Sequence, residues 1–228
     1  MSAPDHPAFA VTADAAALIL RGGRLHLLTI RRDRPPFVGS RALPGTFLGP
    51  DEVAGAAAAR AVLDKTGLNP DDLHLEQLAT YSEPDRDPRM RTVSVVYLGL
   101  AVDPGEPTEG EWLPVTSVPD EPWAFDHARI VEDAVERARS KLEYTTLATA
   151  LLPETFTIPD LRRVYEAVWG REVHPSNFRR KVLQATEDFV VPTGDHRPAN
   201  ANGSGRPTAV YRAGGATALH PPLTRSHT

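Results

Sequence analysis

The chain has 228 residues, enough for one large domain or two small ones. Apolar residues make up 41% of it, sufficient for a packed core, yet no run of 18 apolar residues occurs, so a membrane-spanning helix is not expected. There is no cysteine, which excludes disulfides and thiolate zinc sites and fits a cytoplasmic protein. The net charge of −5 divides unevenly: residues 1–140 carry 14 Lys and Arg against 22 Asp and Glu, and residues 141–228 carry 11 against 8. That asymmetry suggests two modules with different partners.

In chain order, MSAPDHPAF lacks a basic region followed by an apolar stretch, so no secretory signal is expected, and residues 1–9 read as a flexible N-terminus. Ala15–Leu20 and Leu25–Ile30 read as strands hinged at Gly22-Gly23, with Arg31-Arg32 following. The stretch Leu43–Leu68 holds a helix whose start suits Glu52 and whose end suits a left-handed cap at Gly67. Leu75–Tyr81 leads into Ser82-Glu83-Pro84-Asp85-Arg86-Asp87-Pro88-Arg89, and Thr92–Leu100 is another strand. Asp126–Ser140 is predicted helical, with Ile130, Val131, Ala134, Val135 and Ala138 along one side. Leu142–Leu152 is predicted as a further helix, stopped by Pro153. A cap and a proline around Thr157-Ile158-Pro159-Asp160 open a helix running to Trp169, and Gly170 turns the chain. Pro175 opens the helix Ser176–Ala185. Two short β stretches, Phe189–Val191 and Ala209–Arg212, flank GDHRPANANGSGRP, which is too polar and glycine-rich to pack. This succession of helix, helix, turn, helix and hairpin predicts a winged helix-turn-helix. The tail after Gly214 is expected to be disordered. The eight histidines show no HxH or HxxxH spacing, so no metal ligand is assigned.

The frame of Leu43–Leu68 resembles the Nudix pyrophosphohydrolase box, G-x5-E-x7-R-E-U-x-E-E-x-G-U, where U is a bulky aliphatic residue. Glu52, Arg60, Gly67 and Leu68 fall on their matching positions without a gap, and Thr46 stands where the first glycine belongs. Ala61, Asp64 and Lys65 replace the three clustered glutamates. Positions 61, 64 and 65 share one helix face, the face a hydrolase would use to hold divalent ions against a pyrophosphate. Lys65 would repel such an ion and Asp64 is shorter than glutamate, so hydrolysis is expected to be lost and no catalytic residue or cofactor is assigned. The PDRDPR segment entering a Val-rich strand is similar to the ADP-ribose-handling branch of the Nudix superfamily.

In the second module the chemistry gathers in Pro175–Leu183. Phe178, Val182 and Leu183 are expected on its buried side, leaving Ser176, Asn177, Arg179, Arg180 and Lys181 for DNA. Asn and Arg can read base edges in bidentate fashion, while Lys mainly neutralises phosphate. Arg197 and Arg206 are candidates for minor-groove or phosphate contacts. A Nudix-like module joined to KLEYTTLATALLPETFTIPDLRRVYEAVWGREVHPSNFRRKVL resembles the Nudix-related transcriptional regulators, the NrtR family. The resemblance implies an α+β protein: a Nudix α/β/α sandwich domain over residues 10–140, a winged helix-turn-helix domain over 141–213 and a tail over 214–228. It further implies a homodimer that binds a double-stranded DNA operator as a repressor of NAD-related metabolism, with ADP-ribose or a related nucleotide as effector. Arg86 and Arg89 are the stronger candidates for its phosphates, with Arg41 and Arg60 beside them. Arg60 could equally be structural, and Asp85 and Asp87 could hold the arginines or cap a turn. Phe37 and Tyr81 could stack on an adenine or pack in the core. Two alternatives stand beside this reading: a residual hydrolase using Glu52 and Asp64, and a regulator responding to a sugar phosphate or to no ligand.

Overall fold

The computed structural model describes residues 8–198 and 207–225. The chain forms two compact units, one from residues up to Ile19 with His26–Ala134, the other from Leu20–Leu25 with Val135 onward. No helix among the described residues is long and apolar enough to cross a membrane.

The first unit is built on β1 (Ala10–Arg21), β2 (Arg24–Arg31), β3 (Arg41–Ala42), β4 (Gly45–Phe47), α1 (Ala54–Thr66), β5 (His74–Tyr81), β6 (Thr92–Ala101), β7 (Glu111–Pro114) and the start of α2 (His127–Tyr144). The strands form one mixed sheet of order β3-β2-β1-β6-β5, with β4 paired to β1 and β7 to β2. β1 runs parallel to β6 from Ala10 opposite Thr92 to Ile19 opposite Ala101. Its residues Ala15–Ile19 are all buried, without the alternation of a half-exposed strand, because the sheet is covered on both faces. On one face Ala15, Ala17 and Ile19 meet Val62 of α1 together with Leu28, Leu68, Leu73 and Trp112. The helix presents Ala57, Ala58, Ala61 and Val62 inward, and these small side chains let it lie close to the sheet. Gly67 ends α1 at a φ of +71°, and a Cβ there would stand 2.3 Å from the Thr108 hydroxyl, so both conformation and space require glycine.

The second unit takes the rest of α2, β8 (Thr155–Thr157), α3 (Ile158–Trp169), α4 (Pro175–Gln184), β9 (Val190–Arg197) and β10 (Thr208–Ala213). The three strands form an antiparallel sheet of order β8-β10-β9. A capping box fixes the start of α3: the Thr157 hydroxyl accepts from the Asp160 N–H while the Asp160 carboxylate accepts from the Thr157 N–H. The core between α3 and α4 is aromatic, with Tyr165 edge-on to Trp169 at 4.8 Å and to Phe178 at 5.1 Å.

Several sequence expectations change here. Leu142–Leu152 is not a separate helix: α2 continues to Tyr144, and a 3-10 turn follows at Leu147–Leu151. β8 was not anticipated, since three residues carry too little pattern. Gly194–Arg197, expected to be too polar to pack, extend β9 because the antiparallel partner β10 satisfies their backbone. Leu183 is 47% exposed, because Phe178 and Val182 alone fill the buried side of α4. The described part of the tail, residues 214–225, is not disordered. Leu219 and Leu223 are buried, and their N–H groups donate to the carbonyls of Tyr144 and Glu143 at the end of α2. The Arg225 guanidinium pairs with Glu143 at 2.7 Å and Glu136 at 2.8 Å. Its polar composition hid two apolar anchors and a set of donors for helix-end carbonyls that otherwise lack partners.

Candidate functional site

The first unit contains a cavity of about 470 Å³, within the usual range for nucleotide-sized ligands. Thr12 and Asp14 of β1 line it with the end of β2, the following loop through Pro35, β4, the Arg86–Arg89 loop, Phe125 and the first residue of α2, His127. Six cationic side chains face it (Arg31, Arg32, Arg34, Lys65, Arg86 and Arg89) against four carboxylates (Asp14, Asp33, Asp87 and Glu109), so the lining favours an anion.

The two arginines of the PDRDPR segment both reach this cavity and differ in their partners. Arg86 is buried and forks onto Asp126, at 3.0 Å from Nε and 2.7 Å from Nη2. Arg89 forks onto Asp87 at 3.0 and 2.7 Å, with its guanidinium 5.7 Å from the Phe47 ring and 5.6 Å from that of Phe125. Asp87 is therefore a brace for Arg89, and Asp85 lies outside the lining. Arg32 was not anticipated as a site residue. Its guanidinium lies 4.7 Å from the Phe125 ring, and burial together with the charge of Arg89 lowers its proton affinity. Two cations beside one aromatic ring are stabilised by an incoming anion. Phe125 itself holds a φ of +54° and Phe37 one of +66°, conformations that bulky residues adopt only where their surroundings enforce them. The two rings meet edge to face at 5.0 Å.

A polar corner completes the cavity. Asp14 accepts from the Ser94 hydroxyl, and its Oδ1 lies 3.9 Å from Nε2 of His127. Nδ1 of His127 accepts from the Leu43 N–H at 2.9 Å, which leaves the imidazole proton on Nε2, toward Asp14. Burial holds His127 below its ordinary pKa, so it is neutral near pH 7. A Cβ on Gly45 would stand 1.8 Å from Asp14 Oδ1, so glycine there makes room for the carboxylate.

The other candidates lie elsewhere. Arg41 does not face the cavity: it is buried, donating to Thr29 at 3.0 Å, Glu111 at 2.7 Å and Glu121 at 3.1 Å. Those acids stand 70 and 80 residues downstream, beyond what local sequence reveals. Arg60 also lies outside the lining, held by Glu52 at 2.7 Å and near Asp64 at 3.7 Å. The bonds from Arg60 and the Gly49 N–H depress Glu52 to a pKa of about 2. Tyr81 is a core residue, its hydroxyl donating to Asp133 at 2.8 Å. Glu52 and Asp64 thus share an internal arginine, and Ala61 is fully buried with no ligand atom to offer. Among the described residues no group of three His, Cys, Asp or Glu could hold a metal ion. The donor set does not fit the divalent ions that a Nudix hydrolase would need.

In the second unit, α4 exposes Ser176, Arg179 and Arg180, with Asn177 and Lys181 half-buried. Arg180 donates to Asn177 at 2.6 Å. Burial, with the charges of Arg180 and Arg171, lowers the proton affinity of Lys181. Arg197 is tied back to Thr155 at 2.7 Å and stands 4.0 Å from Asp160. Arg206 lies outside the described residues.

Comparison with known proteins agrees with both units. Residues 11–134 match the NUDIX domain, and residues 148–213 match the NrtR DNA-binding winged helix domain. An ADPR-responsive transcriptional repressor of Acinetobacter baylyi is 32% identical over 218 residues, covering 91% of this chain and 83% of that protein. An ADP-ribose pyrophosphatase of Methanocaldococcus jannaschii is 37% identical over 134 residues, 56% of this chain and 73% of that enzyme. Shewanella oneidensis NrtR, solved with a 27mer DNA, superposes with a TM-score of 0.77 at 31% identity, covering 89% of this chain and 93% of that one. Its NUDIX domain, solved with ADP-ribose, gives a TM-score of 0.54 at 30% identity over 60% of this chain and 94% of that one.

Proposed function

The chain belongs to the NrtR family of Nudix-related transcriptional regulators, and from that premise we propose that it is a DNA-binding repressor whose Nudix unit senses ADP-ribose without hydrolysing it. One observation carries the reading: a cationic, nucleotide-sized cavity, with no metal-holding group of three acids among the described residues, sits on the same chain as a winged helix. In the Nudix unit, Arg32 and Arg89 are the residues assigned to the diphosphate, with Arg86 bracing the loop that carries Arg89. His127 and Asp14 offer a donor and an acceptor to ribose hydroxyls. In the winged helix, α4 enters the major groove, Asn177, Arg179 and Arg180 meet base edges or phosphates, and Lys181 neutralises backbone charge. Arg197 belongs to the wing and serves there in phosphate contact. Two copies related by a two-fold axis would read half-sites separated by whole turns, about 10 bp each. α2 begins in the cavity wall at His127 and ends at Tyr144, so a ligand that prefers one placement of His127 acts on an element shared by both units.

The test is fluorescence anisotropy with labelled DNA from promoters of NAD-metabolism genes, with and without ADP-ribose at fixed salt. Specific binding that ADP-ribose changes supports the reading, and binding indifferent to ADP-ribose removes the sensor. The likeness to a pyrophosphatase keeps a second reading in view, residual hydrolysis. Release of AMP from ADP-ribose with magnesium present would support it, and none is expected.

A further inference from the structure

The mismatch between the box and a metal raises the matter of what meets the charge of a diphosphate in this cavity. Both oxygens of Glu52 receive Arg60, at 2.8 and 2.7 Å, and one also receives the Gly49 N–H at 3.0 Å. Asp64 lies 3.7 Å from the same arginine. Arg60 thus occupies these acids, and among the described residues a hard divalent ion needing six oxygens finds no group of three acids to bind. One box position has reversed its sign. Lys65, on the last turn of α1, stands where the family carries a glutamate, and the structure puts it in the cavity lining with Arg32 and Arg89. An ammonium is a compact charge with three donors on a flexible stem, suited to non-bridging phosphate oxygens, while the arginines supply planar forks.

We propose that Lys65, with Arg32 and Arg89, binds the diphosphate of the ligand directly, as a fixed cation in place of a divalent ion, so that this cavity takes nucleotide diphosphates without metal. The inference rests on the reading of the cavity as the ADP-ribose site. It makes binding independent of added magnesium, so the ion brings no gain in affinity. Magnesium coordinated by the free ligand shields the charge that Lys65 recognises, so added magnesium leaves binding unchanged or weakens it.

The experiment is isothermal titration calorimetry on the full-length chain with ADP-ribose and, separately, inorganic pyrophosphate, each in chelator and in excess magnesium. Wild type, Lys65→Met and Lys65→Glu are compared, with melting curves to verify folding. Lys65 is solvent-exposed on α1, so both variants are expected to melt with the parent. ADP-ribose should bind in chelator at least as tightly as in magnesium. Lys65→Met should weaken it by about ten- to a hundredfold, the effect of one charge-assisted hydrogen bond, and Lys65→Glu by more. Binding that needs magnesium, or a Lys65→Met variant with parental affinity, overturns the inference while leaving the ADP-ribose reading intact. Lys65-dependent binding of pyrophosphate in chelator without any binding of ADP-ribose upholds the inference and removes the reading. Silence with both probes removes both.

Discussion

Replacing Arg86 by Met separates a ligand group from a brace. Arg86 donates to both oxygens of Asp126, and the two side chains are 4% and 19% exposed. Without the guanidinium the Asp126 carboxylate keeps its charge with little access to water, and breaking a buried pair in this way costs about 3–5 kcal/mol. The residual exposure of Asp126 lets solvent recover part of that, so about 2–4 kcal/mol is expected. For a chain of this size that lowers the melting midpoint of the first unit by roughly 4–16 °C. The double variant Arg86→Met with Asp126→Asn removes both partners, and it should cost about 1–3 kcal/mol less than the sum of the single changes. Denaturant melts of the four proteins close the cycle, and calorimetry with ADP-ribose adds the function. If Arg86 only braces the loop, the double variant regains affinity along with stability. An additive cycle, or a double variant that is stable yet still fails to bind, would refute the assignment and make Arg86 a direct ligand group.

Other expectations concern separate parts of the chain. Arg180→Ala should weaken operator binding and reduce the salt slope of log K by about 1 if the contact is to phosphate, measured by anisotropy between low and moderate salt. His127 is held neutral by burial, below its unfolded pKa of about 6.5, so the unfolded chain binds more protons and stability falls as pH drops below that value. Melting curves of the parent and of His127→Asn should therefore diverge from pH 7 to 5.5, with the parent falling faster; parallel curves would contradict the burial argument. Leu223→Ala removes a side chain that is 1% exposed and should cost about 2–4 kcal/mol in the second unit by denaturant melts, whereas a disordered tail would show no change.

What was legible from sequence was local. The unalternating alanines of β1, the glycine that closes α1 and the Thr157–Asp160 capping box each state their structure within a few residues. The cavity does not. Asp14, Arg32, Phe125 and His127 come from separate parts of the chain, and neither spacing nor periodicity joins them. Arg41 beside Leu43-Pro44-Gly45 looked like a pocket residue because its acidic partners lie on β7 and just before α2. Arg86 and Arg89 were chosen from sequence because guanidinium groups pair with phosphate oxygens, but only coordinates show that one arginine is buried against Asp126 and the other lies near aromatic rings. Lys65 was seen in sequence as hostile to metal, and its place in the cavity wall gives that hostility a use.

The same charges explain how a hydrolase frame can serve as a sensor. Catalysis requires interactions that strengthen in the transition state, which a metal held by carboxylates supplies at the bridging diphosphate. On the proposed reading, fixed cations that met the ground-state diphosphate equally well would give affinity without acceleration. Affinity alone still switches nothing, because a ligand that binds two states equally shifts neither. The difference has to arise at groups whose placement changes, and the proposal puts His127 among them: it lines the cavity, bonds the Leu43 N–H and opens an 18-residue helix, about 27 Å long, whose last carbonyls accept from the tail. A coupling of about 1–3 kcal/mol through that helix changes DNA affinity 5- to 150-fold, and by linkage DNA must change ADP-ribose affinity by the same factor. Measuring ADP-ribose binding with and without saturating operator therefore tests the coupling from the opposite end: unequal factors would mean that the two ligands are not reporting on one equilibrium.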